Sequence, residues 1–338
     1  MKHVTMSTGL HEADIRPASL MSEFMRLSLI DSQTFFNDPG KLIEVPCPAC
    51  GSEKREGAFR KNDFLYCECA ECASLFVSPR PSREALVEYY DNSSASHYRV
   101  EHFAKDTAKA RRQHLLRSLV LWLGRIVDER GNSDARGYAD VNTQSVQIFE
   151  DIKQLDLFDE FHSLFPLNSL DEACAENGIN VVRDKIDGLG AVTMLGQLEN
   201  RFDPLDYLKW IRDTLAPNGI IALTTKTCSG FDMQVLWDKA PYIFVPEHLN
   251  LLSIEGISIL LEKAGFELIE LSTPGQLDLE LVKHAIVHEP SIQLPRNVEY
   301  LLNHRGEQAH ADFCNFLQKN RLSSHVRVAA VYSGSKEV

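Results

Sequence analysis

The chain has 338 residues, 44% of them hydrophobic and 25% charged, and a formal net charge of −13. That balance describes an ordinary globular protein with room for one large domain and a small one. The acidity argues against non-specific binding to nucleic acid or membrane. Its longest apolar run, Leu119 to Gly124, is far too short to cross a bilayer, and the N-terminus carries early acidic residues rather than a secretory-type apolar segment. A cytoplasmic location is the expectation.

Residues 1–44 hold one helical stripe, Ala18 to Ile30, with Leu20, Met21, Phe24, Met25, Leu27 and Ile30 on one side. It is expected to pack on the body of the protein rather than on a partner. Residues 45–80 form a separate small module. Of eight cysteines, five fall between Cys47 and Cys72, arranged as Cys47-x2-Cys50, eighteen residues, then Cys69-x2-Cys72. Two such turns each aim two thiolates at one ion, so Cys47, Cys50, Cys69 and Cys72 are read as ligands of a structural zinc with no open position. A module this short lacks core enough to fold unaided, and the metal would supply the missing stability. Cys67 is left out of the set. Cys174, Cys228 and Cys314, scattered among apolar neighbours, are expected to be buried small hydrophobes.

Residues 81–133 read as a helical connector. Ser82 suits the cap of a short helix, and a longer helix is expected from about His102 to Val127. The run Lys109, Arg111, Arg112 and Arg117 reads more readily as a solvated face than as an anion site. From residue 134 to 278 strands and helices alternate, the pattern of a doubly wound, Rossmann-like α/β sheet. Strands are expected near Tyr138–Val141, Phe161–Phe165, Asn180–Val182, Ala191–Leu195, Ile220–Thr225 and Phe266–Leu271. Asp203-Pro204 signals a capped helix start, and Gly265 a helix end. Residues 279–338 are expected to be mostly helical, with a last strand at Val326–Tyr332 that could join the sheet.

Several motifs carry a family resemblance: C-P-A-C-G from Cys47, F-V-S-P-R-P-S at Phe76–Ser82, L-E-N-R-F-D-P at Leu198–Pro204, and L-A-P-N-G at Leu215–Gly219. P-E-H-L-N-L-L-S at Pro246–Ser253, T-P-G-Q-L-D at Thr273–Asp278 and N-R-L-S-S-H-V-R at Asn320–Arg327 extend it to the C-terminus. Together they resemble class I S-adenosylmethionine (SAM)-dependent methyltransferases of bacterial surface-glycan pathways that carry an N-terminal zinc module, sugar C-methyltransferases among them. The resemblance implies SAM at Asp140, Asn142, Gln144, Phe165, Gly196 and Glu199, and an acid/base pair at Glu247-His248. In such an enzyme the histidine takes a proton beside a keto group. An imidazole suits that task because it titrates near neutrality.

The match has gaps. Asn142, Gln144 and Val146 stand where the family's glycine-rich turn approaches SAM, and Phe165 stands where an acid holds the ribose hydroxyls. Asn200 replaces a histidine, and Val245 a tyrosine. Two readings stay open at this level. One is a transferase using SAM on a nucleotide-linked sugar or related glycan precursor. The other is a pseudoenzyme that has lost SAM and serves as a binding or scaffolding subunit for a protein partner. A zinc-ribbon nucleic-acid binder fits poorly with the net negative charge.

Overall fold

From Gly137 onward, short aliphatic runs alternate with amphipathic segments. In the computed structural model, which describes residues 9–334, these runs become seven strands of one sheet. They are β1 (Gly137–Val141), β2 (Glu160–Leu164), β3 (Asn180–Val182), β4 (Leu189–Leu195), β5 (Leu215–Lys226), β6 (Glu267–Ser272) and β7 (His325–Tyr332). Their spatial order is β3-β2-β1-β4-β5-β7-β6. The first five strands pair in parallel, and β7 runs antiparallel between β5 and β6.

The alternation of side chains along a strand sorts the sheet's two faces. Ala139, Val141, Val192 and Ile221 pack against Leu208 and Ile211 of the helix Pro204–Arg212 and Ile257 and Leu260 of Ile254–Lys263. On the other face Tyr138, Ala191 and Ile220 meet Leu123 and Ile126 of Arg117–Arg130 and Phe149 and Ile152 of Gln147–Lys153. The caps are as the sequence suggests: Asp203 accepts from the Asp206 N–H (3.0 Å), and Ser82 from the Ala85 N–H (3.2 Å).

The last strand changes the domain boundary. β7 pairs with β5 from Gly219↔Tyr332 to Lys226↔His325, so the α/β domain runs to the end of the described chain instead of stopping near residue 278. The connector helix also differs from expectation. It runs unbroken from Ser94 to Arg130, and two of its segments, Arg99–Ala104 and Arg112–Leu116, are wound as π-helix. Such widened turns re-aim side chains and gather at functional sites.

The cysteine module is not free-standing. Its strands Arg55–Lys61, Phe64–Cys69 and Leu75–Val77 are completed by Asn250–Leu251, a strand drawn from beyond β5. The N-terminal helix, Ala18–Phe36, packs on the body as expected, its Phe24 ring against Phe103 (6.0 Å) and Phe244 (5.7 Å).

One side chain joins these parts. Arg80 is fully buried and donates from Nε to the Val77 carbonyl (3.0 Å), from Nη1 to that of Phe202 (2.9 Å), and from Nη2 to that of Leu249 (3.3 Å). Burial pulls its pKa down to about 10, so it stays charged at neutral pH. Removing a buried charged donor leaves its acceptors unsatisfied, at about 1–3 kcal/mol each. Arg80→Ala is expected to lower unfolding free energy by about 3 kcal/mol or more, checked by urea titration. Arg80→Lys should recover only part of this, since an ammonium cannot reproduce the planar fork.

Candidate active site

Ligands bind open α/β sheets outside the carboxyl ends of the strands, where the order reverses. Here the reversal lies between β1 and β4, and a cavity of about 450 Å³ opens beside it. The floor comes from strand ends and the turns after them, including Asp140, Gly196 and Lys226. The roof comes from Leu10, Ile15, Arg16 and Phe24 of the N-terminal segment and from the long connector helix. Asp140, Asn142, Gln144, Gly196, Glu199 and His248 all line it; Phe165 and Glu247 do not.

Asp140, the last residue but one of β1, has its carboxylate accepting a 2.6 Å hydrogen bond from Thr193 Oγ1, and burial pushes it up to about 6. Asn142 follows at φ 47°, a left-handed conformation that asparagine tolerates better than most residues, so the tight turn survives without glycine. Its side-chain amide donates to Gln197 Oε1 (2.8 Å); turned about, it donates instead to the Phe165 carbonyl (3.1 Å). Gln197 follows β4, so this contact bridges the crevice at the reversal point itself. Gln144 is exposed at the cavity edge, and Val146 packs into the core of the sheet. Gly196 is required for its φ of 62°, not for packing, because a Cβ there would meet nothing within 4 Å.

Glu199 sits in the turn after β4. One carboxylate oxygen accepts the Lys226 backbone N–H (2.8 Å), and the other is buried without a protein partner among the described residues. Burial pushes this carboxyl up to about 7. Phe165, expected at the ribose, turns away from the cavity. Its φ is 51° and its ring meets Trp210 edge-on (5.6 Å) in a separate shallow groove.

Glu247 and His248 part company. The Glu247 carboxylate pairs with Arg99 (3.5 Å) and does not orient the imidazole. The His248 ring rests edge-on against Phe244 (5.8 Å), and its Nδ1 is buried with no partner among the described residues. Burial, reinforced by the nearby positive charges of Lys226 and Arg16, pulls His248 down to about 3. The imidazole is therefore neutral throughout the physiological range. In NMR-monitored pH titration His248 should show no inflection between pH 5 and 8, whereas an unperturbed histidine titrates near 6.5.

The structure adds residues that the sequence reading did not select. Arg16, Arg99 and Arg111 stand in the roof, and Lys226 Nζ lies 3.4 Å from the fully buried Asp232. Asp278 lines the cavity too, accepting from the Ser324 N–H (2.9 Å) and the Ser323 hydroxyl (2.5 Å). Burial, with Asp232 nearby, raises Asp278 to about 7. These contacts join two motifs quoted for the resemblance, Thr273–Asp278 and Asn320–Arg327. Arg111 had a signal, the basic run; Arg16 had none.

Away from the cavity, the Sγ atoms of Cys47, Cys50, Cys69 and Cys72 lie within 4.8 Å of one another, with Cys47···Cys72 at 3.6 Å and Cys50···Cys69 at 3.4 Å. A tetrahedron with metal–sulfur bonds of about 2.3 Å has edges near 3.8 Å, so the thiols are grouped at the scale such an ion needs. Cys67 points elsewhere, 3.6 Å from the Ser78 carbonyl.

A family model described as a methyltransferase domain matches residues 183–271, from the turn before β4 into β6. The match covers about a quarter of the chain, and the mixed α/β, seven-stranded sheet in which it lies is consistent with a Rossmann-like methyltransferase domain. A tRNA U34 carboxymethyltransferase of Chromohalobacter salexigens is 32% identical over 90 residues, 27% of each chain. The match therefore spans about a quarter of that relative's length. Among solved structures, geranyl diphosphate C-methyltransferase from Streptomyces coelicolor is 10% identical, with a TM-score of 0.42, covering 69% of this chain and 82% of its own. A cyclopropane synthase from Mycobacterium tuberculosis is 15% identical, with a TM-score of 0.40, covering 65% and 85%.

Proposed function

We propose that this methyltransferase-fold protein transfers a methyl group from SAM to a small acceptor in the roofed cavity, a nucleotide-linked sugar or related glycan precursor. The observation that carries the reading is the cavity at the reversal point, in which Asp140, Glu199 and His248 converge. Its size suits one small-molecule site. Asp140, Gly196 and Glu199 would hold SAM, which when bound supplies an electrophilic methyl on a positively charged sulfur. Two buried carboxylates, one with an unpartnered oxygen, are the donor set such a cationic ligand needs. Neutral His248 would then stand at the acceptor, its Nδ1, without a partner among the described residues, able to accept a hydrogen bond from it. The roof excludes water from that transfer. A small acceptor suits a closed cavity in a chain of net charge −13 better than the tRNA named for the Chromohalobacter relative.

A second reading rests on one contact. The Asn142–Gln197 bridge spans the crevice where a dinucleotide-type cofactor meets the first turn, and Phe165 provides no ribose acid. That arrangement favours a pseudoenzyme that binds another ligand or a protein. Calorimetry with S-adenosylhomocysteine separates the two. Under the transferase reading the ligand binds, Asp140→Ala weakens it about tenfold or more, and Asn142→Gly tightens it by opening the bridge. No heat from the wild-type chain and from Asn142→Gly alike sinks SAM-dependent transfer.

The four-cysteine group is read as a structural zinc site. About one zinc per chain is expected in elemental analysis, lost in Cys47→Ser together with several degrees of Tm, because a closed thiolate site contributes folding energy directly. Metal-free protein with unchanged Tm would remove zinc from the account.

A further inference from the structure

Three guanidinium groups stand in the cavity roof with one carboxylate partner between them among the described residues. Arg16 projects from the N-terminal segment over the Tyr242 ring (5.3 Å), and its Nη1 is buried with no hydrogen-bond partner among the described residues. Arg111 donates to the Thr107 hydroxyl (2.9 Å) and the Ile15 carbonyl (3.4 Å) and lies over the Phe103 ring (5.7 Å), with no carboxylate within ion-pair distance among the described residues. Burial first, and then the charges of Arg16 and Arg99, pull its pKa down to about 10. Arg99 has one partner, Glu247 at 3.5 Å. The other cavity cations are differently placed: Lys226 pairs with Asp232 (3.4 Å), and Arg327 donates to the Ser118 hydroxyl (2.7 Å).

We propose that Arg16, Arg99 and Arg111 form a diphosphate subsite for the ligand of this cavity. Three guanidiniums against the single carboxylate of Glu247 leave an excess of two positive charges, the number a diphosphate diester neutralises. Guanidinium forks match phosphate oxygens in bidentate geometry, and a diphosphate offers enough oxygens to engage more than one fork. Without an anion, like charges in a water-poor roof repel one another, and a bound diphosphate removes that repulsion. Both π-helical segments of the connector flank this place, one carrying Arg99 and the other beginning just after Arg111. The overall charge of −13 makes a cationic roof conspicuous, because nothing in the bulk composition requires it. The inference rests on the proposed function only in seating the acceptor in the same cavity. It adds which part of that acceptor is held, and by what.

The test is calorimetric titration of the full, metal-replete chain with inorganic pyrophosphate, beside inorganic phosphate and acetate. Pyrophosphate is expected to bind most tightly and to weaken with added salt. Arg16→Gln and Arg111→Gln, which remove the charge and keep a polar amide, should each weaken it about tenfold or more. Arg117→Gln, exposed on the same helical run, should leave it unchanged. Circular dichroism and Tm of each variant establish that it is folded. Absence of pyrophosphate binding by the wild-type chain, or binding indifferent to Arg16 and Arg111, overturns the subsite. S-adenosylhomocysteine is titrated into the same variants. Unchanged affinity there, with pyrophosphate binding lost, supports an acceptor subsite. Loss of both ligands together assigns the arginines to the cofactor and overturns it. Pyrophosphate binding that depends on the arginines, in a chain that never binds S-adenosylhomocysteine, keeps the subsite and ends the methyl-transfer reading instead.

Discussion

The cavity depends on a buried guanidinium that never touches it. Arg80 gathers carbonyls from the cysteine module, from the loop after β4 and from the segment carrying His248. Each of those chains approaches the sheet's carboxyl edge from a different direction. A neutral side chain could not satisfy three acceptors at once, and a carboxylate partner would consume the donors. The carbonyls can be buried because Arg80 is there, and Arg80 can be buried because they are. The motif F-V-S-P-R-P-S thus has a structural role, and the position of His248 follows from it.

Local chemistry made much of the fold legible. The expected strands fall within a few residues of those observed, because aliphatic runs between capped helices leave few alternatives. The thiols of the two Cys-x2-Cys turns were legible for a similar reason, since the ligand geometry is written in the spacing. What the sequence could not show depends on contacts between distant segments. Glu247 and His248 are neighbours in the chain, and adjacency suggested a pair, but Arg99 draws the carboxylate aside. Arg111 sits in a basic run that resembles a solvated face until the N-terminal segment is laid across it. Phe165 was expected at the place of the ribose-holding acid and turns outward to Trp210 instead.

Charge is distributed against the average of the chain. The acidic surface surrounds a cavity whose carboxyls, Asp140, Glu199 and Asp278, are all pushed up to between about 6 and 7 by burial. Their readiness to protonate near neutrality reduces the negative charge opposing the arginines of the roof. His248 belongs to the same field: burial first, and then the positive charges around it, keep its ring neutral. An anion seated on the roof would offset part of that positive potential. That would relieve only the smaller part of what keeps the ring neutral, since burial is the larger.

The loss of glycine at the first turn then has a physical meaning short of collapse. A left-handed Asn142 preserves the backbone path that glycine usually supplies, so the strand-to-helix connection is intact while its side chain reaches across to Gln197. One polar contact in a crevice is a weak barrier, because a ligand that offers both amides equivalent hydrogen bonds exchanges partners at little net cost. Asn142 and the outward Phe165 thus alter the polar groups offered at this edge of the sheet while leaving its backbone path in place.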